Sequence, residues 1–238
     1  IKRGLSFPWE TMTYLTFGMR PHEMYAYGAG TGVGKTDTLK EIIAHIINVH
    51  KQKVGTLLFE EPDLRQTIHS VAGKIDGAIY HVPDIEFDKS QRDATCALLR
   101  DELFLYDIKG SDVDREKLLA LIRYFVLALG CEHIFLDHVT FMLDAEDDER
   151  QLEAQKKLMR RLNDLNKELP FTLHYVSHLR KANNGRKPHE EGGRVFLDDF
   201  LGGKATTQYA NFVIGVERDQ QGDDKNSSYL RFLKDRYT

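Results

Sequence analysis

The stretch Gly28-Ala29-Gly30-Thr31-Gly32-Val33-Gly34-Lys35-Thr36 decides the fold of this 238-residue chain. It stands between a strand-like run at 24–27 and a helix-like run whose apolar residues recur at helical spacing from Leu39. This strand–loop–helix context fits a phosphate-binding P-loop, with Ala29 at the place of the first glycine. The glycines let backbone N–H groups converge on phosphate oxygens, in front of the positive end of the helix dipole.

Two side chains at the end of this loop predict a nucleoside triphosphate with Mg²⁺ as the cofactor. Lys35 supplies a charge for the β- and γ-phosphates, and the hydroxyl of Thr36 is placed to ligate the metal. The residues predicted to bind ATP, dTTP or another triphosphate are Ala29, Gly30, Thr31, Gly32, Val33, Gly34, Lys35, Thr36 and Asp37.

A second metal-shell residue is expected at the carboxyl end of a buried parallel strand, where ligands bind in such sheets. Asp137 meets this expectation because it ends the apolar run 133–136. The alternative is an aspartate that only caps the following segment.

Hydrolysis also needs a group that orients the attacking water. Glu60 and Glu61 follow the strand-like run 56–59, one strand on from the P-loop helix. The residues alone do not choose between the two acids. Either could instead be a favourable charge at a helix N-terminus, close to Pro62.

Apolar strand-like runs alternate with amphipathic helix-like runs along the chain. This alternation indicates an α/β fold with a mainly parallel central sheet flanked by helices. The predicted strands are 24–27, 54–59, 103–106, 134–136, 172–176, 212–216 and 229–233. Helices are predicted around 39–47, 118–129 and 158–169, and surface loops at 144–150 and 179–193.

The composition excludes several classes of protein. Hydrophobic residues make up 41% and charged residues 29%, which is ordinary for a soluble globular chain. Two cysteines cannot form a disulfide framework, so we expect a reducing compartment. No run approaches the roughly 20 apolar residues that span a bilayer. The net charge of −4 argues against a surface that coats nucleic acid everywhere, and it leaves room for a local basic loop.

Five segments in this order resemble the helicase motifs of DnaB-type (superfamily 4) ring helicases, particularly the helicase half of podophage primase–helicases. They are 28–36, 58–61, 134–138, 176–180 and 202–208. The stretches His-Glu-Glu-Gly at 189–192 and Val-Glu-Arg-Asp-Gln-Gln-Gly-Asp at 216–223 add to the resemblance, which covers the chain from about residue 23 onward. It implies a RecA-like P-loop NTPase core in a homo-hexameric ring, with nucleotide between subunits and single-stranded DNA in the central hole.

The resemblance also implies roles for residues near the γ-phosphate. Glu60, the first acid after its strand, matches the catalytic base. His178 matches a residue that senses the γ-phosphate and couples it to DNA. Gln208 matches a glutamine that faces both the γ-phosphate and DNA, and Lys35 completes this catalytic group.

Three basic residues are implied at the boundary between subunits. Lys234 and Arg236 match a pair that reaches the nucleotide of the neighbouring subunit, with Arg236 as the arginine finger. An arginine supplied in trans stabilises the charge that spreads over the γ-phosphoryl oxygens in the transition state. Arg218 matches an arginine near the same interface that contacts the cofactor. The alternative for Lys234 and Arg236 is an exposed charge pair on an edge strand.

The loop after His178 is predicted to bind DNA. The residues expected there are Arg180, Lys181, Asn183, Asn184, Arg186 and Lys187. Their four positive charges suit phosphates along a single strand, and because few aromatic residues accompany them we expect little base stacking. A metal site at 189–191 is not expected, since such short clusters are usually hydrogen-bonded or solvated. The acidic segment 144–150 is predicted to orient neighbouring subunits.

We expect residues 1–22 to form an N-terminal linker or interface segment and 23–238 to form the ATPase domain, which continues in family members beyond Thr238. Trp9 could pack on its own domain or dock on an adjacent subunit. Because the chain begins at Ile1, we expect it to be part of a longer polypeptide.

The function that the resemblance implies is an ATP-dependent replicative DNA helicase domain, which moves on single-stranded DNA and unwinds duplex. A RecA-like recombinase that forms filaments without unwinding is the alternative, and a regulatory P-loop switch is a third class. The implied partners are single-stranded DNA, further copies of the chain, and the primase and DNA polymerase of a replisome, with no membrane. The implied location is the cytoplasm of a phage-infected bacterium.

Overall fold

The structure is a computed structural model that describes residues 2–61, 63–107, 113–139, 148–182 and 185–237. Residues 148 and 149 are described only as part of a helix. The predicted DNA contacts Asn183 and Asn184, and nearly all of the predicted acidic loop 144–150, lie outside the described residues. None of the helices within these ranges has the length and apolar character that a bilayer crossing requires.

Seven strands of the described chain form one sheet, in the order β3-β2-β4-β5-β1-β6-β7. They are β1 Met24–Ala29, β2 Val54–Leu58, β3 Leu103–Leu105, β4 His133–Asp137, β5 Thr172–His178, β6 Phe212–Glu217 and β7 Tyr229–Asp235. All neighbouring pairs are parallel except β6 and β7, which run antiparallel. The predicted mainly parallel α/β sheet is therefore confirmed.

The helices of the described chain are α1 Glu10–Thr16, α2 Lys35–His45, α3 Leu64–Asp76, α4 Lys89–Leu99, α5 Arg115–Leu127, α6 Asp148–Glu168 and α7 Lys204–Thr207. A π-helical turn, Ile46–His50, continues α2. Aspartate side chains accept backbone N–H groups at three helix starts: Asp63 caps α3, Asp88 caps α4 and Asp114 caps α5. The apolar spacing had predicted α2, α5 and α6, whereas α1, α3, α4 and α7 were not predicted.

The core lies on both faces of the sheet. Ile134 and Leu136 belong to a cluster with apolar residues of α5 and α6. Phe135, between them on β4, belongs to a second cluster with residues of α2 and α3. Successive side chains of a strand point to opposite faces, so this alternation means that helices cover the sheet on both sides. The carboxyl ends of the parallel strands are left as the edge where polar groups can meet.

The N-terminal segment packs against the second of these clusters. Phe7, Met12 and Met19 are buried in it, and Leu5 forms a bridge with Met19. Trp9 is half-buried against the same cluster. Of the two arrangements left open for Trp9, the structure shows packing on its own domain.

Candidate nucleotide-hydrolysis site

The P-loop connects β1 to α2 and is held from below. Ala29 and Val33 are buried against Val216 of β6 in a small apolar cluster. Gly32 and Gly34 take left-handed backbone angles, with φ of 72° and 100°, which a residue with a Cβ rarely adopts. The loop is therefore anchored on its apolar side, and its glycine turn leads directly into the first turn of α2.

Thr36 and Asp137 meet where α2 begins and β4 ends. The Thr36 hydroxyl donates to Asp137 Oδ2 at 2.9 Å. The other carboxylate oxygen is buried without a hydrogen-bond partner in the described part of the chain, and it lies 3.9 Å from Lys35 Nζ. Burial raises the pKa of Asp137, against the opposing effects of Lys35 and Thr36. A hydroxyl beside a carboxylate with one open acceptor oxygen fits the oxygen ligands that Mg²⁺ requires.

Glu60 lies at the centre of a compact polar network. Its Oε2 accepts from Lys35 Nζ at 2.8 Å, and its Oε1 lies 3.0 Å from His178 Nε2 and 3.4 Å from His138 Nε2. Lys35 Nζ also contacts His178 Nδ1 at 3.5 Å. Because an ammonium group only donates, Nδ1 accepts and Nε2 carries the proton that Glu60 accepts. Burial raises the pKa of Glu60, but Lys35 and the two histidines outweigh burial and hold the pKa below its usual value.

The neighbouring acid, Glu61, points into a different environment. Its carboxylate accepts from Lys40 Nζ at 2.9 Å and from the Thr67 hydroxyl at 2.7 Å. These contacts tie α2 to α3 and leave Glu61 without a contact to Lys35. The structure thus separates the two acids that the sequence left equivalent, and its geometry favours Glu60 as the base.

Sequence reasoning missed the contacts that cover the outer side of the P-loop. Glu190 Oε1 accepts the backbone N–H of Thr31 at 3.3 Å, and Gln220 Nε2 donates to the Thr31 carbonyl at 3.4 Å. A Cβ on Gly30 would stand only 2.8 Å from His189 Cβ. These residues were interpreted only as parts of motifs, because contacts across more than 150 positions leave no local signal.

His138 was also missed as a site residue, although it belongs to a motif segment. Its ring packs against that of His178, with centroids 4.0 Å apart. Within the described ranges, the group that could hold a further metal ion is Glu60, His138 and His178, and not the cluster at 189–191.

Arg218 lies beside the P-loop of its own chain. Its Nη1 is 3.8 Å from the position that a Cβ on Gly34 would take, and its Nε donates to the Lys225 carbonyl at 2.6 Å. The predicted contact with the cofactor is therefore supported by position, on the same chain as the P-loop.

The other implied catalytic residues lie apart from this network. Lys234 Nζ donates to the carbonyls of Thr207 and Gln208, at 2.9 and 3.0 Å. Burial, and then the charge of Arg236, lower the pKa of Lys234. Gln208 and Arg236 are exposed. Among the described residues, no hydrogen bond or ion pair joins Gln208, Lys234 or Arg236 to the P-loop or to Glu60.

The strand register explains this separation. Asp235 pairs with Phe212 at the amino end of β6, whereas Val216, near its carboxyl end, pairs with Ala29 at the start of the P-loop. Four residues of strand separate the two levels by about 13 Å. Two strand spacings across the sheet add about 10 Å in the perpendicular direction. Arg236 is therefore too far away to reach a nucleotide in its own P-loop.

The predicted DNA contacts divide into free and paired groups. Arg180 and Lys181 are exposed and make no ion pair within the described chain. Arg186 instead pairs with Asp199, and Lys187 Nζ lies 2.7 Å from Asp219 Oδ2. Because Arg180 follows His178 by two residues, the free cations lie directly beyond the network around Glu60.

Known proteins show where this chain belongs. The model of the DnaB-like helicase C terminal domain matches residues 4–236. The DNA helicase/primase of Enterobacteria phage T3 is 29% identical over 229 residues, which cover 94% of this chain and 40% of that protein. The chain thus spans less than half of that relative.

Solved structures agree on the fold. A DnaB-like replicative helicase, whose structure also addresses its interactions with primase, superimposes with a TM-score of 0.78 at 14% identity, covering 98% of this chain and 57% of that one. A separately solved ATPase domain gives 0.77 at 15% identity, covering 98% and 84%. A KaiC-like protein from Pyrococcus horikoshii OT3 gives 0.66 at 15% identity, covering 100% and 90%.

The predicted RecA-like core and the resemblance to DnaB-type helicases of phage primase–helicases are both confirmed. The chain belongs to the family of DnaB-like helicase C-terminal domains.

Proposed function

We propose that this chain is the motor domain of a replicative DNA helicase, which hydrolyses a nucleoside triphosphate and moves along single-stranded DNA. The observation that carries the proposal is the single network of Lys35, Glu60, His178, Asp137 and Thr36 at the carboxyl edge of the sheet. The network contains a phosphate-binding cation, a metal-ligating pair and a candidate base.

The contacts suggest how binding prepares hydrolysis. Lys35 is held by Glu60 in this structure, and a γ-phosphate would compete for its ammonium group. Glu60 Oε2 is then free to accept a proton from the attacking water, while His178 fixes the other oxygen. Mg²⁺, held by Thr36 and Asp137, would neutralise charge on the β- and γ-phosphate oxygens.

A second copy of the chain completes the site in this proposal. Charge spreads over the γ-phosphoryl oxygens in the transition state, and Arg218 is the arginine found beside the P-loop in cis. Arg236 lies at the opposite edge of the sheet, where it is exposed and can reach a neighbour. A closed hexameric ring supplies one such neighbour to every site.

The coupling to DNA follows from chain connectivity. His178 contacts both Lys35 and Glu60, and the exposed cations Arg180 and Lys181 follow it directly. A change at the γ-phosphate therefore reaches a phosphate-binding surface through two peptide units. We expect the motor to act with a primase and a polymerase in the cytoplasm of a phage-infected cell.

The test is unwinding of a forked duplex together with electron microscopy in the presence of nucleotide. The proposal expects DNA-stimulated triphosphate hydrolysis, strand separation and closed rings. Open filaments without strand separation would instead indicate a recombinase, and hydrolysis that DNA does not affect would indicate a regulatory switch.

A further inference from the structure

An open hollow of about 440 Å³ lies on the face of the protein next to the carboxyl end of β5. It is lined by Arg180, Lys181, Arg186, Phe196, Asp198 and Asp199. The backbone N–H of Arg180 donates to the Asp199 carbonyl at 2.7 Å, so one wall of the hollow is attached to the other. The hollow therefore begins two residues after the contact between His178 and Glu60.

Phe196 is presented to this hollow by its neighbours. Val195 is fully buried, and its N–H donates to Glu217 Oε1 at 2.8 Å. The N–H of Phe196 itself donates to Asp199 Oδ2 at 2.9 Å. The backbone is thus fixed on both sides of a ring that keeps 41% of its surface exposed. Fixed backbone beside an exposed ring is what a preorganised contact requires.

Two guanidinium groups lie against this ring. The centre of the Arg186 guanidinium is 4.9 Å from the ring centroid of Phe196, and that of Arg194 is 5.6 Å away. Both distances are within the range of cation–π attraction. Arg186 is also held by Asp199, whereas Arg194 is exposed and has no ion pair in the described part of the chain. Arg194 is therefore the group that can leave the ring at little cost.

The charges around the ring favour a polyanion. The Arg186 guanidinium compensates Asp199, and although burial opposes ionisation, this contact holds the pKa of Asp199 below its usual value. Arg180 and Lys181 remain exposed and unpaired among the described residues. A positive groove with an accessible aromatic ring is the combination that binds single strands without sequence preference.

We propose that Phe196 is a stacking platform for a base of single-stranded DNA whose phosphates lie on Arg180 and Lys181. An incoming base takes the place of Arg194 against the ring, and that guanidinium then becomes available to a phosphate. This inference rests on the proposed function, because it assumes that the strand passes this face. It replaces the expectation of little stacking, which counted aromatic residues only within 180–187.

The test compares two oligonucleotides with one backbone, an oligo-dT and the same length of abasic DNA. Binding is measured by fluorescence anisotropy with a non-hydrolysable triphosphate. Wild-type protein should prefer the oligo-dT by about tenfold, the value of one stacked base. Phe196→Leu should lower affinity for oligo-dT about tenfold and leave abasic DNA unchanged, whereas Phe196→Tyr keeps the preference.

Tyr124→Leu is the matched control, because Tyr124 is an aromatic residue with 55% exposure on α5 that does not line the hollow. It should keep the wild-type preference. The salt dependence of binding should be the same in Phe196→Leu and wild type, since the phosphate contacts remain. A second measurement uses 2-aminopurine in the strand, whose fluorescence should be quenched by wild type and not by Phe196→Leu.

The outcomes separate this inference from the proposed function. Wild-type protein that binds both oligonucleotides equally overturns the stacking platform alone. Equal weakening of both oligonucleotides by Phe196→Leu, with a change of oligomeric state, also overturns it and makes Phe196 a contact between subunits. Wild-type protein that binds neither oligonucleotide overturns the proposed function and the platform with it.

Discussion

Two regions of the sheet carry basic groups suited to a triphosphate, and they differ in what surrounds them. At the carboxyl edge, Lys35 is nearly enclosed and contacts Glu60 and His178. At the opposite edge, after β7, Arg236 is exposed, and only its backbone is held, by the Asn211 carbonyl. The first region is complete within one chain, whereas the second offers a charge with no partner there. The difference supports a site divided between two copies of the chain.

The largest effect is expected from removing the exposed charge. Arg236→Ala should lower triphosphate turnover by about 10³-fold or more, because an arginine finger stabilises only the transition state. Lys35→Ala should also abolish turnover, since the phosphate cradle loses its cation. Mixing the two variants should restore part of the activity, measured as phosphate release, at interfaces that join an intact Lys35 to an intact Arg236.

Recovery is the decisive readout in that mixture. Full turnover by Arg236→Ala alone, or no recovery at any mixing ratio, would contradict the divided site.

The next effect concerns the carboxyl edge alone. Glu60→Gln should bind triphosphate and lower hydrolysis about 10²–10⁴-fold, because the amide cannot accept the proton of water. Glu61→Gln is the matched control, since Glu61 contacts Lys40 and Thr67 instead of Lys35. Single-turnover hydrolysis with separately measured nucleotide affinity distinguishes the two. A larger loss in Glu61→Gln would mean that the other acid is the base.

A smaller effect should separate Lys234 from Arg236. Lys234→Met should lower the free energy of unfolding by about 1–2 kcal/mol, because the Thr207 and Gln208 carbonyls lose a donor. Arg236→Met should leave stability unchanged, as its side chain is exposed. Urea denaturation of both variants tests this contrast. Equal stability of both would mean that Lys234 does not hold this edge together.

The smallest effect is expected at the cover of the P-loop. Glu190→Ala should tighten triphosphate binding about threefold, because it frees the Thr31 N–H and removes a negative charge near the phosphates. Glu191→Ala provides a control with the same change of charge. Isothermal titration calorimetry measures both. Weaker binding in Glu190→Ala would show that this carboxylate supports the loop and does not compete with phosphate.

The regions also differ in how far the sequence predicts them. Strands, the P-loop and α2 follow from local apolar spacing and from glycines, which act over a few residues. α3 and α4 were missed because their apolar pattern is weak, although Asp63 and Asp88 are recognisable capping signals. The separation of Glu60 from Glu61 depends on Lys35 and Lys40, so it needed tertiary structure.

Contacts between distant segments could not be predicted at all. Thr31 and Glu190 lie 159 positions apart, and no periodicity connects them. The expected role of the basic loop was incomplete for the same reason, since Phe196 comes to Arg186 only through the turn at 197–199. The roles of Gln208 and Arg236 stay predictions, because they concern a neighbour that one chain does not contain.

The backing of the P-loop by β6 has a consequence for a ring. Ala29 and Val33 rest on Val216, and the same strand pairs with β7, which ends just before Arg236. One rigid slab thus joins the cradle of one reaction centre to the cation offered to the next. Tilting a subunit would move both together, so that successive sites around a hexamer could fire in sequence without any hinge inside the domain.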